Sequence, residues 1–215
     1  MKKILAFVLV LGMLLSFAAC GKKDVPDGYQ LASNEKVCDY ALFVPVNSGG
    51  EKWRFESASS DFTTAALTVT EEVEIKDENG EGTGKTEKVD KLACTVSMAM
   101  IGTLQDNESV EMFWDRYKES YTFLTNCTAS EAVGVVLNEE NGNAIGKMEA
   151  SGISYTFKGD YNGTTYHYTQ VLFSFPIDNG ETYPVYCVTY TAMGSDFYSK
   201  YLETFDGILE NIVLR

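Results

Sequence analysis

Three Asn-Gly pairs, Asn141-Gly142, Asn162-Gly163 and Asn179-Gly180, punctuate the second half of the chain at near-regular intervals. Asn-Gly suits tight turns whose central residues take positive φ, and β-branched and aromatic residues fill the runs between. The spacing therefore predicts an antiparallel meander from about Val133 to Ala192. Its strands are apolar on both faces. In 166–175, Tyr166, Tyr168 and Leu172 share one face and Val171, Phe173 and Phe175 the other; in 183–192, Val185 and Cys187 oppose Tyr186, Val188 and Tyr190. A sheet with one wet face alternates more cleanly than this, so both faces are expected to be covered.

Two stretches have the period of a helical cover. The first has Asn107 as a cap and Glu108 and Glu111 at the positive end of its dipole, with Val110, Phe113, Trp114, Tyr117, Tyr121 and Leu124 on one stripe. The second follows Ser195 as a cap and carries Phe197, Tyr198, Tyr201, Leu202, Phe205, Ile208, Leu209 and Ile212. Two stripes and a two-faced sheet imply an α+β fold, an α/β/α sandwich with helices on both faces of the antiparallel sheet.

Upstream, 28–33 and 38–45 read as a hairpin ending at Pro45, Trp53 to Glu56 as the start of a strand, and 63–69 and 92–101 as two more strands. In the last of these Cys94, Val96, Met98 and Met100 share a face. Between these two lies a charged excursion, Glu71 to Lys91, which reads as a solvated hairpin turning at Asn79-Gly80. Its segment Asn79 to Thr86 resembles the phosphate loop of nucleotide hydrolases, with Asn79 in place of the first glycine. That loop must open an apolar helix, and here Thr86 is followed by EKVDK, so no nucleotide is expected. Asp77, Glu78, Asn79 and Glu81 lack the alternate spacing of a calcium loop, and no metal or cofactor is expected.

The amino terminus sets the address. Lys2 and Lys3 precede an uncharged run from Ile4 to Ala19, which ends in Phe17-Ala18-Ala19-Cys20. A basic start, an apolar middle and small residues at the end are the parts of a secretory signal, and the run is short of the roughly 20 residues needed to cross a bilayer. It resembles a bacterial lipoprotein signal, although that box usually has Leu where Phe17 stands. The resemblance implies cleavage after residue 19 and lipid attachment at Cys20, with diacylglyceryl and palmitate chains. Residues 1–19 are then a signal peptide, 20–28 an anchored cysteine and short tether, and 29–215 a single domain bearing the excursion 71–91. The tether reaches only about 25 Å, which places the domain on the extracytoplasmic side, close to the cell membrane.

Seventeen basic against 31 acidic residues give a formal charge of −14, and loss of Lys2 and Lys3 makes the remainder more acidic still. Such a surface is repelled by phosphate backbones, so nucleic acid is not an expected partner. Cys38, Cys94, Cys127 and Cys187 show no metal-ligand spacing; they read mainly as small core residues, although an exported chain permits disulfides among them. His167, the sole histidine, stands in a Tyr-His-Tyr triplet without the sequence signatures of a serine or cysteine nucleophile, so no catalytic residue is assigned. Tyr155, Tyr161, Tyr166, Tyr168, Tyr183 and Tyr186 form either cross-strand packing pairs or a platform for glycan or peptide.

The order of pieces, YALFVPVNSGGEKW, SVEMFWDRYKESYTFL, TYHYTQVLFSFPIDNGETYPVYCVTYTA and DFYSKYLETFDGILENIVL, resembles the PsbP-type family, which includes bacterial lipoproteins of the DcrB kind. That resemblance implies a sheet flanked by helices and a role in binding or stabilising other proteins. It carries over no catalytic motif. The expectation is a lipid-anchored, non-enzymatic binding or accessory protein with an envelope protein as partner; the alternative is a small cell-envelope hydrolase acting on glycan or peptide.

Overall fold

The computed structural model describes residues 25–34, 36–59, 62–118, 124–137, 150–176 and 181–214. The expected signal and Cys20 lie outside them, as do the turns expected at Asn141-Gly142 and Asn179-Gly180. At Asn162-Gly163 both residues take positive φ, 50° and 78°. There β9 (Ala150–Tyr161) turns back into β10 (Thr164–Ser174), in unbroken register from Tyr161 opposite Thr164 to Ser151 opposite Ser174.

The elements before this hairpin are β1 (Tyr29–Leu31), β2 (Tyr40–Ala41), β3 (Phe43–Pro45), β4 (Glu51–Ser59), β5 (Phe62–Lys76), β6 (Gly82–Thr103), α1 (Val110–Tyr117), β7 (Thr125–Ala129) and β8 (Val133–Leu137). After it come β11 (Pro184–Met193), α2 (Gly194–Glu210) and β12 (Val213–Leu214). Eight strands form one antiparallel sheet in the order β4-β5-β6-β11-β10-β9-β7, with β8 also on β9. The pairs β1–β3 and β2–β12 stand apart from it.

One face of this sheet holds the larger core. Ala65 and Leu67 of β5, Val96 and Met98 of β6, Val171 and Phe173 of β10, and Tyr186, Val188 and Tyr190 of β11 are buried there with Tyr201, Phe205 and Ile208 of α2. The Tyr190 and Phe205 rings stack at 5.3 Å, and the Tyr190 hydroxyl lies 3.0 and 2.9 Å from the carbonyls of Phe197 and Tyr198, tying the start of α2 to the sheet. At the other end Tyr40 donates toward the Met98 carbonyl at 3.2 Å and meets the Thr63 hydroxyl at 2.8 Å.

On the opposite face Val110 and Phe113 of α1 pack with Ile153, Leu172, Val185 and Cys187. Gly102 permits this approach, since a Cβ there would stand 2.9 Å from the Phe113 ring. The helix is short, and the same face continues past it. Across β11, β6 and β5 run the rows Thr189-Ser97-Thr64 and Thr191-Thr95-Ala66, all half-buried. Small hydroxyl-bearing side chains tolerate water where Leu or Phe would not.

The expected α+β class, an α/β/α sandwich with helices on both faces, is therefore overturned. The described chain is mostly β, built on an eight-stranded antiparallel sheet, with two helices among the described residues. α1 has 8 residues and contacts β9 and β10, so it is a local plug where a layer was expected. Apolar periodicity reports which side chains seek burial; it does not report how much sheet they cover. The caps also differ. Ser109 caps α1, its hydroxyl accepting from the Met112 N–H at 3.3 Å, while Asn107 sits at φ 60°. Ser195 lies inside α2, which starts from Met193 without a side-chain cap.

Beyond Val69, where β4 stops pairing, β5 and β6 continue alone from Thr70 opposite Asp90 to Lys76 opposite Gly82. This ribbon extends about 20 Å at the usual rise of an antiparallel strand. At its tip the Asp77 carboxylate accepts the N–H groups of Asn79 and Glu81, each at 2.9 Å, and Gly80 has φ 82°.

Candidate functional site

The segment 125–137 has neither clean alternation nor a helical stripe, and all five residues of β7 are exposed. It follows β9 as an edge strand interrupted twice. Register shifts between Thr125 and Thr128, where Asn126 takes φ 50°. Ser130 rejoins β9 by donating its N–H to the Thr156 carbonyl at 2.8 Å and accepting the Thr156 N–H on its hydroxyl at 3.0 Å. Glu131 and Ala132 then step outside the pairing, and β8 resumes with Val133 opposite Ser154. Such bulges bend a strand and re-aim its side chains.

Facing this edge, α1 presents Trp114. Its ring stacks on Tyr155 at 3.9 Å and 26°; Tyr155 is followed by Phe157 at 6.0 Å, and Phe157 by Tyr168 at 4.4 Å and 9°. Between α1 and the bent edge opens a cleft of about 490 Å³, floored by Trp114, Tyr155 and Phe157 and walled by Cys127, Ala129, Ser130, Glu131 and Ala132. The Asp115–Lys118 ion pair, 2.6 Å, stands at its rim. Beneath the floor the Tyr155 hydroxyl donates to Gln170, whose amide donates to Thr189 at 2.8 Å; the Cys187 thiol lies 3.4 Å from that hydroxyl. The chain fixes Tyr155, and with it the ring stack, in one orientation. Burial pushes Tyr168 above the ordinary phenol range. An aromatic floor with a small polar rim can bind an apolar or aromatic group and orient it.

The residues singled out in the sequence are dispersed. His167 lies on the α2 side of β10, 5.4 Å from the Tyr198 ring, with the sheet between it and the cleft. Tyr155 is buried under Trp114, Tyr166 and Tyr168 are half-buried, Tyr161 and Tyr183 are exposed, and Tyr186 is buried on the opposite face, so the six tyrosines make no single platform. Cys38, Cys94, Cys127 and Cys187 are free thiols, with only Cys127 exposed. Gly82 to Thr86, the core of the phosphate-loop resemblance, are strand residues of β6. Among the described residues no group of three or more side chains could hold a metal ion.

Ala129, Ser130 and Glu131 carry no signal in the sequence; Cys127, expected mainly as a small core residue, is exposed in the cleft wall, and Trp114, expected in the core, is half-buried on its floor. The legible hint was Asn126, a residue tolerant of positive φ amid small and polar neighbours. No family model matches the chain, and no curated protein matches it. Among solved structures that resemble it is a protein of unknown function, PA94 from Pseudomonas aeruginosa, which is 8% identical and spans 87% of this chain and 97% of its own at a TM-score of 0.45. A likeness that slight bears on neither fold nor function.

Proposed function

We propose that this chain is a lipid-anchored, non-enzymatic binding or accessory protein on the extracytoplasmic side of a bacterial membrane, and that an envelope protein engages it at the cleft between α1 and β7. The observation that carries this reading is the cleft itself. Its volume of about 490 Å³ falls within the range of specific binding sites, and a half-buried tryptophan on a stacked aromatic floor is the kind of anchor that dominates protein interfaces. The apolar run ending at Cys20 supports the anchor, and the PsbP-type resemblance supports the accessory role.

The test uses the exposed thiol already in the cleft wall. A benzophenone maleimide placed on Cys127 in membranes of producing cells should crosslink one envelope protein on illumination, and Trp114→Ala should abolish that adduct. Labelled palmitate should enter the wild type and not Cys20→Ala. An adduct indifferent to Trp114→Ala would remove the cleft from the reading; a wild-type chain free of palmitate would remove the anchor.

A further inference from the structure

We propose that a second concavity, on the α2 side of β7, is a site for a small oxyanion, a phosphate or carboxylate group. The proposal is independent of the partner assigned to the cleft. The concavity measures about 330 Å³, at the low end for small-molecule sites, and suits a compact ligand. Beside Ala129 and Phe157, which with Ser130 also line the cleft, it is lined by Thr128, Thr156, Lys158, His167 and Tyr198.

Lys158 and His167 are directly opposite each other on β9 and β10, which puts their Cβ atoms about 5 Å apart. An ammonium and an imidazole N–H in that relation can both donate to one anion placed between them. The carboxylate nearest in register, Asp160, accepts from Asn126 at 2.7 Å and from Thr165 at 2.6 Å, and it also feels the Lys158 charge, which leaves the ammonium free to turn toward the hollow without a direct ion pair. The imidazole is positioned by the Tyr198 ring at 5.4 Å, and the Tyr198 hydroxyl is held by Thr169 at 2.6 Å. An ammonium, an imidazole N–H and the hydroxyls of Thr128 and Thr156 make a donor set matched to an oxyanion.

His167 is the only histidine, so its ring protons are a single unambiguous reporter in a proton NMR spectrum. The full chain, in detergent and without a histidine tag, is titrated at fixed neutral pH with inorganic phosphate, with acetate, and with chloride at matched ionic strength. Phosphate or acetate should move the His167 resonances saturably and chloride should not; which of the two acts distinguishes a tetrahedral from a planar oxyanion. Lys158→Gln should weaken binding by about tenfold or more, Thr156→Val should weaken it less, and Trp114→Ala should leave it unchanged. The same displacement by chloride, no saturable displacement by either oxyanion, or full affinity in Lys158→Gln would overturn the proposal.

Discussion

On the α2 side, Val188, Tyr190 and Ala192 of β11 lie in a core shared with a 17-residue helix, and Tyr190 and Phe205 are almost wholly enclosed. On the α1 side, Val185 and Cys187 of the same strand lie under an 8-residue helix, after which the face passes to half-buried threonine and serine. The first side is organised for stability. The second exchanges coverage for a cleft and an open surface, and the strands carry both roles because alternate side chains point to opposite faces.

The largest expected effect lies on the closed side. Phe205→Ala removes a ring that is 1% exposed and should cost about 3 to 5 kcal/mol in urea unfolding. Trp114→Ala removes a half-buried ring at the cleft and should cost less, about 1 to 2 kcal/mol, with the losses nearly additive across the sheet. Equal costs would erase the distinction between the faces. Replacing the ribbon tip 72–88 by a short Asn-Gly turn should cost under about 1 kcal/mol, because that tip lies beyond both cores.

The smallest effect concerns the entry to α1. Glu108 accepts the Gln105 N–H at 2.8 Å and pairs with Arg116 at 3.1 Å, in that order of influence, and these hold its carboxyl below the ordinary range. A depressed carboxyl adds stability above its unfolded value of about 4.3 and loses it as pH falls through the folded value. Glu108→Gln should therefore melt slightly lower than wild type at neutral pH and converge with it in acid. A gap that persists in acid would assign the difference to packing.

Alternation made the faces of β10 and β11 legible residue by residue, and Asn162-Gly163 marked its turn because few other pairs accept positive φ twice. The extent of coverage was not legible. The stripe of Val110, Phe113 and Trp114 is the same whether a helix covers two strands or a whole sheet, and Leu124 reaches the α1-side core from the approach to β7. The edge 125–132 left no periodic trace, since its bulges break the alternation that marks a strand, and only its continuation from Val133 was expected as strand. The oxyanion hollow depends on Lys158 meeting His167 across a ladder, a register that appears only once β9 and β10 are aligned on their turn.

Native-state thiol counting tests the contrast most directly, because the four described cysteines sample both faces. Cys94 lies in the α2-side core and Cys187 under α1, each thiol pushed up to about 12 by burial; Cys38 is buried beside Ser57, and Cys127 is exposed in the cleft wall. Brief exposure to a small maleimide, read by intact mass, should modify Cys127 alone in the folded chain and all of these thiols in urea. Modification of Cys187 as fast as Cys127 would show that α1 does not close its part of the sheet, and protection of Cys127 in the isolated chain would show that the cleft is not open.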